Sequence, residues 1–144
     1  MLEKILHHLK EEINKTFMCT QPIDMPGLAV IVNNENESLV NCVNMFKKDC
    51  EDIRFNWFLT NINSKTDEDF IKRMINDYNE MEDVTMIIVL LPLPDHLNHL
   101  ASELTELCKT DKYGKLNTIE LIGESSTGSR IAVLNNMRIA YYKK

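Results

Sequence analysis

His96 and His99 stand three residues apart, which on a helix puts both imidazoles on one face at the spacing of a metal-ligand pair. No third ligand at a suitable spacing accompanies them, so the plainer reading is two surface histidines. The stretch Gly123-Glu124-Ser125-Ser126-Thr127-Gly128 sets backbone N–H groups at a helix start, an arrangement that can cradle a phosphate. Its spacing is not G-x-G-x-x-G, and the plain reading is a loop. Cys42 is a thiol on a helix with no histidine in the same motif to lower its pKa, and such a thiol packs more readily than it reacts.

These residues act only from positions that the surrounding elements give them. Leu2, Ile5, Leu6, Leu9, Ile13 and Phe17 recur at steps of three and four, which predicts an amphipathic helix. Pro22, Pro26 and Gly27 break it, and the apolar run Leu28 to Val32 predicts a strand covered on both faces. A capping turn from Asn33 to Ser38 leads into a helix striped by Leu39, Val40, Val43, Phe46, Cys50 and Ile53. Phe55 to Thr60 reads as a second strand, and Thr66 with Asp69 resembles a capping box for a helix through Tyr78. Met86 to Leu91 is the most hydrophobic segment and the expected central strand, stopped by Pro92 and Pro94. A helix from Leu97 to about Lys109 and a strand from Ile119 to Gly123 follow.

Alternation of strand and helix from residue 28 onward predicts an α/β, doubly wound fold, with a mostly parallel sheet of four to five strands and helices on both faces. For the end of the chain two readings stay open. Ser129 to Asn135 is a short crossover helix before a fifth strand, Arg138 to Tyr142, or the segment is a hairpin turning at Asn135-Asn136.

The 144 residues suit one domain, 1–144. Sixteen Lys and Arg against twenty-two Asp and Glu give a net charge of −6, which argues against nucleic acid or an anionic membrane as partner. Cys19, Cys42, Cys50 and Cys108 form no C-x-x-C pair and read as reduced thiols. With no apolar run long enough to span a bilayer and no secretion-signal layout at the N-terminus, the expectation is a cytoplasmic protein.

Two segments are specific enough to suggest a family. Pro26-Gly27-Leu28-Ala29-Val30-Ile31 and Ile87-Ile88-Val89-Leu90-Leu91-Pro92-Leu93-Pro94 resemble the P-G-L-A-V-I/V and I-L-V-Q-L-P-L-P strands of methylenetetrahydrofolate dehydrogenase/cyclohydrolase. Between them, Lys48-Asp49-Cys50-Glu51-Asp52 sits where that family has K-A-C-E-E. The likeness covers residues 1–98. A weaker one, at Tyr113-Gly114-Lys115-Leu116-Asn117 and Ile122-Gly123-Glu124-Ser125-Ser126, makes 113–144 similar to a remnant of the family's dinucleotide domain, as in a chain cut short.

The resemblance implies a Tyr and a Lys four apart on the helix after the first strand, the Lys assisting proton transfer. The ungapped alignment puts Cys42 and Phe46 there, and a gapped one puts Asn41 and Met45. The Gln that sets the state of that Lys is Leu90, in a pocket that Pro92 and Pro94 also inherit. The family's K-D-V-D-G-F and P-G-G-V segments have no counterpart after Asn98. Glu124 replaces the Arg that faces the 2′-phosphate of NADP, so no cofactor is expected, NADP included. Phe46 and Leu90 make an apolar pocket in which an ionised intermediate gains no hydrogen bonds.

The expectation is thus a non-catalytic relative of the folate enzyme, binding a partner or a folate- or pterin-like small ligand. The competing reading keeps a one-carbon enzyme with rearranged residues using Lys48 or Cys42, Lys48 lying beyond Phe46 on the helix. A third is an unrelated flavodoxin-like binding module. A homodimer is expected through residues 131–142, with Met137 to Tyr142 as a free edge strand.

Overall fold

The computed structural model describes residues 1–107, 118–122 and 127–142. The chain begins with α1 (Leu2–Thr16), whose apolar stripe buries Leu6, Leu9 and Ile13. A 3₁₀ turn at Pro22–Asp24 leads into β1 (Gly27–Asn33), buried along nearly its whole length. Then come α2 (Glu37–Asp52), β2 (Asn56–Ile62), α3 (Glu68–Glu80) and β3 (Met86–Leu90). A 3₁₀ helix at Asp95–Leu100 continues as α4 (Ala101–Glu106), followed by β4 (Thr118–Ile122) and α5 (Thr127–Tyr142).

All strand pairs are parallel, in the order β2-β1-β3-β4. Alternate residues of β1 and β3 enter two cores, as the pleat requires. Leu28, Val30, Val32, Met86, Ile88 and Leu90 pack under α1, α2 and α5. Ala29, Ile31, Ile87 and Val89 pack under α3 and the Asp95–Glu106 helical segment. The expected α/β, doubly wound architecture is present with four strands. Among the described residues no helix is long and apolar enough to cross a membrane.

Several element ends have clear chemical causes. Asn36 caps α2 by accepting the Leu39 N–H at 3.2 Å. The other end of α2 closes as a Schellman motif: the Phe55 N–H bonds the Cys50 carbonyl at 2.9 Å and the Arg54 N–H bonds that of Glu51 at 3.3 Å. Arg54 occupies the left-handed position, at φ 61°, where glycine is usual. Its guanidinium donates to the Phe17 carbonyl at 3.0 Å, tying this corner to the end of α1.

At α3 the expected Thr66/Asp69 box is displaced by one residue. Asp67 is the cap, accepting the Phe70 N–H at 2.8 Å, while the Thr66 hydroxyl accepts the Asn63 N–H at 2.9 Å. Gly27 opens β1 where the backbone of the α3–β3 connection crosses it. A Cβ there would run into the Asp83 carbonyl oxygen, and the Gly27 carbonyl accepts the Thr85 N–H at 2.8 Å.

The end of the chain bears out the helix expected at Ser129–Asn135 and overturns the strand or hairpin expected around it. Residues 127–142 form one continuous helix, with neither a fifth strand at Arg138–Tyr142 nor a hairpin at Asn135-Asn136. Val133, Leu134, Met137 and Ala140 recur at helical steps and are buried, and no Pro or Gly interrupts residues 129–142. Burial of Val133, Leu134 and Met137 in the core, with Tyr141 and Tyr142 against Phe17, overrides the local strand preference of residues 139–142. The free edge strand invoked for a dimer is therefore absent from residues 137–142. Tyr141 meets Phe17 edge-on at 4.9 Å, so α5 lies along α1 with both helices pointing the same way.

Candidate functional site

Chain order reverses between β1 and β3, since β1 connects to β2 on one side and β2 then crosses back to β3 on the other. Ligands of open parallel sheets collect beyond the strand C-termini at such a switch. A cleft of about 430 Å³ opens there. Its walls come from Asn33, Glu35 and Asn36 after β1, Ser64 after β2, and the Pro92–His96 loop after β3.

Local hydrogen bonds shape these loops. The Asn33 side chain accepts the Glu35 N–H at 3.0 Å, bending the chain into α2. The Glu35 carboxylate accepts the Ser64 N–H at 2.7 Å and joins two walls. Across the cleft, the Leu91-Pro92 peptide is cis and the Asn98 side chain accepts the Leu93 N–H at 3.0 Å. His96 Nε2 lies 2.6 Å from the Thr66 carbonyl. The cleft thus offers amides, carboxylates and one imidazole to a small polar molecule. Its described lining holds no Ser, Cys or Thr nucleophile paired with a base.

Pro92 and Pro94 line this cleft, but the other inherited positions do not. Cys42, Phe46 and Leu90 come together in the apolar core beneath α1, α2 and α5, where Phe46 and Leu90 have no solvent exposure. Asn41 and Met45, the alternative pair, are exposed on the outer side of α2. Lys48 is also outside, its side chain 73% exposed and 3.4 Å from Asp52. Its neighbour Cys50 is buried, and burial pushes the thiol pKa up, away from reactivity.

His96 and His99 part company: the first meets Thr66, the second approaches Glu68 at 3.7 Å. Among the described residues no group of three His, Cys, Asp or Glu could hold a metal ion. Of the phosphate-loop candidate, Gly123 to Ser126 lie outside the described residues, as do Tyr113 to Asn117, Cys108 and Lys143-Lys144.

Sequence reasoning missed a charged cluster on the α1, α2 and α5 side of the sheet. Asp49, wholly buried, takes a bidentate pair from Arg130 at 2.6 and 2.7 Å and a third contact from Lys10 at 2.7 Å. Lys10 also reaches Asp52 at 2.8 Å. The bond to Asp49 raises the Arg130 pKa. Burial works to lower that of Lys10, yet the two carboxylates outweigh it and leave it raised. The hydrogen bond from Lys10 lowers Asp52. One signal was legible: Asp49 sits one turn from Phe46 on the buried stripe, where a carboxylate requires a cation. Its partners, 39 residues before and 81 after, carry no mark in the sequence.

Residues 1–112 match the family model described as the tetrahydrofolate dehydrogenase/cyclohydrolase catalytic domain. The bifunctional protein FolD of Thermodesulfovibrio yellowstonii is 33% identical over 95 residues, covering 66% of this chain and 32% of that protein. That of Sulfurihydrogenibium sp. is 30% identical over 141 residues, covering 93% of this chain and 46% of its own. This chain therefore spans about a third to just under a half of the length of these relatives.

Among solved structures, bifunctional FolD from Campylobacter jejuni superposes with a TM-score of 0.60 at 28% identity, over 66% of this chain and 34% of that one. The Trypanosoma brucei enzyme, solved with NADP and an inhibitor, shares the fold with a TM-score of 0.64 at 23% identity, over 75% and 35%. By the family match and by the likeness that runs through nearly all its residues, this chain belongs to the tetrahydrofolate dehydrogenase/cyclohydrolase family.

Proposed function

We propose that this chain is a FolD-like domain that does not catalyse the dehydrogenase or cyclohydrolase reaction and acts by binding, either a folate- or pterin-like small ligand or a protein partner. One observation carries the reading. Cys42, Phe46 and Leu90, which the family resemblance aligns with the Tyr, Lys and Gln of proton transfer, lie in a continuous apolar core beside the cleft. A buried phenyl ring and isobutyl group neither accept a proton nor stabilise an ionised folate intermediate. The cleft at the strand ends keeps groups that hydrogen-bond a small molecule without groups that turn it over.

The reading extends to a single cytoplasmic domain, 1–98 descending from the folate domain and 113–144 from a dinucleotide domain. It includes no use of NADP and self-association as a homodimer. Purified protein is incubated with methenyl- and methylene-tetrahydrofolate, the latter with NADP. Conversion at the uncatalysed rate is the expected result, and conversion clearly above it overturns the reading. Saturable heat of binding in a calorimetric titration with a pterin is the expected sign of a retained small-ligand site.

A further inference from the structure

α5 is apolar around most of its circumference, yet the monomer buries only the stripe of Val133, Leu134, Met137 and Ala140. A helix with apolar residues on all sides is normally covered on all sides. Here Ile139 is 45% exposed on α5, and Ile5 is 47% exposed on the neighbouring α1. Between the two helices runs an apolar-lined groove of about 360 Å³. It is bordered on α1 by Ile5, His8 and Glu12 and on α5 by Ile131, Asn135 and Arg138.

The two borders are chemically matched. Along the common direction of the helices each begins with an isoleucine, continues with a polar side chain, and ends with a charge, acidic on α1 and basic on α5. Glu12 and Arg138 do not pair with each other within the chain: Glu12 lies 3.7 Å from His8, and Arg138 donates to Asn135 at 2.7 Å. α5 carries no acidic residue along its length.

We infer that this groove is the interface with a second copy of the chain, related by a two-fold axis parallel to the helices, so that α1 of each protomer lies against α5 of the other. That axis sets Ile5 against the partner's Ile131, His8 against the partner's Asn135, and Glu12 against the partner's Arg138, twice over. The antiparallel alternative sets isoleucine against charge at both ends, and charge complementarity rejects it. The inference rests on the self-association proposed above and names its surface. Turnover has no part in it.

Sedimentation equilibrium across a micromolar concentration series tests it, using the chain and three variants. The unchanged chain shows a reversible monomer–dimer equilibrium. Glu12→Arg and Arg138→Glu each weaken the dimer about tenfold or more by opposing like charges, and the double exchange restores it. Ile5→Glu, at a side chain already half in water, abolishes the dimer while urea unfolding, measured at a dilution where both proteins are monomeric, stays unchanged, which guards against a misfolded charge variant. A dimer indifferent to all of these substitutions overturns this interface but not self-association. A single 16.7 kDa species at every concentration overturns both.

Discussion

Asp49 has no exposure to solvent, and the family likeness places alanine at its position. Breaking a buried ion pair on one side costs more than never having made it, because the remaining charge stays behind. Asp49→Ala is therefore expected to lower the unfolding free energy by about 3 kcal/mol, measured by urea denaturation. The triple change Lys10→Met, Asp49→Ala, Arg130→Met should return most of that loss. A single-variant cost below about 1 kcal/mol would show both cations relaxing into water instead. Phe46 and Leu90 make the complementary case. Phe46→Lys with Leu90→Gln restores the family's residue types, but inside a core. Expected are a loss of several kcal/mol and no cyclohydrolase activity, since the ammonium would be buried without a partner. Appearance of turnover would mean that the core opens to substrate.

Elements whose apolar period was unbroken were legible from the sequence, β1 and β3 by their runs and α1 and α2 by their stripes. What misled at the C-terminus was local: Ile139, Tyr141 and Tyr142 prefer strands, and the packing of Val133, Leu134 and Met137 on residues far earlier in the chain makes the segment helical. Ile139→Pro separates the two pictures. In a helix interior it costs about 3 kcal/mol and lowers the far-ultraviolet helical signal, whereas an edge strand would tolerate it. Arg54 was silent for another reason, because an arginine gives no hint of a left-handed backbone. Two substitutions that both remove its hydrogen bond to Phe17 isolate the strain. Arg54→Gly should be more stable than Arg54→Ala by about 1 kcal/mol in thermal or urea unfolding. Equal stabilities would mean that the corner relaxes to a negative φ.

Across the whole molecule, charge joins surfaces that the sequence could not pair, and pH is the way to read it. The Asp52 pKa lies below its ordinary 3.8, chiefly through Lys10, so its contribution is complete above that value and is lost as pH falls through the lowered one. Lys10 lies above 10.5, so its contribution is complete below 10.5 and is lost as pH rises through the raised value. The urea midpoint should stay level between these limits and fall outside them. A decline within about pH 5 to 8 would show that other groups govern stability. The cleft at the β1/β3 switch was foreseeable from topology alone, and the burial of Phe46 and Leu90 from the α2 stripe and the β3 run; the motif did not state that they lie in the core and not in the cleft wall. Gly27 shows what such a motif does state. It lies at the blunt end of the sheet, opposite the cleft, and any larger residue would have to push aside the Asp83 carbonyl. That demand for clearance acts on a descendant whether or not it handles folate. Pro26-Gly27-Leu28-Ala29-Val30-Ile31 is thus a mark of lineage, carried by carpentry, and it would outlast the reaction by which the family is named.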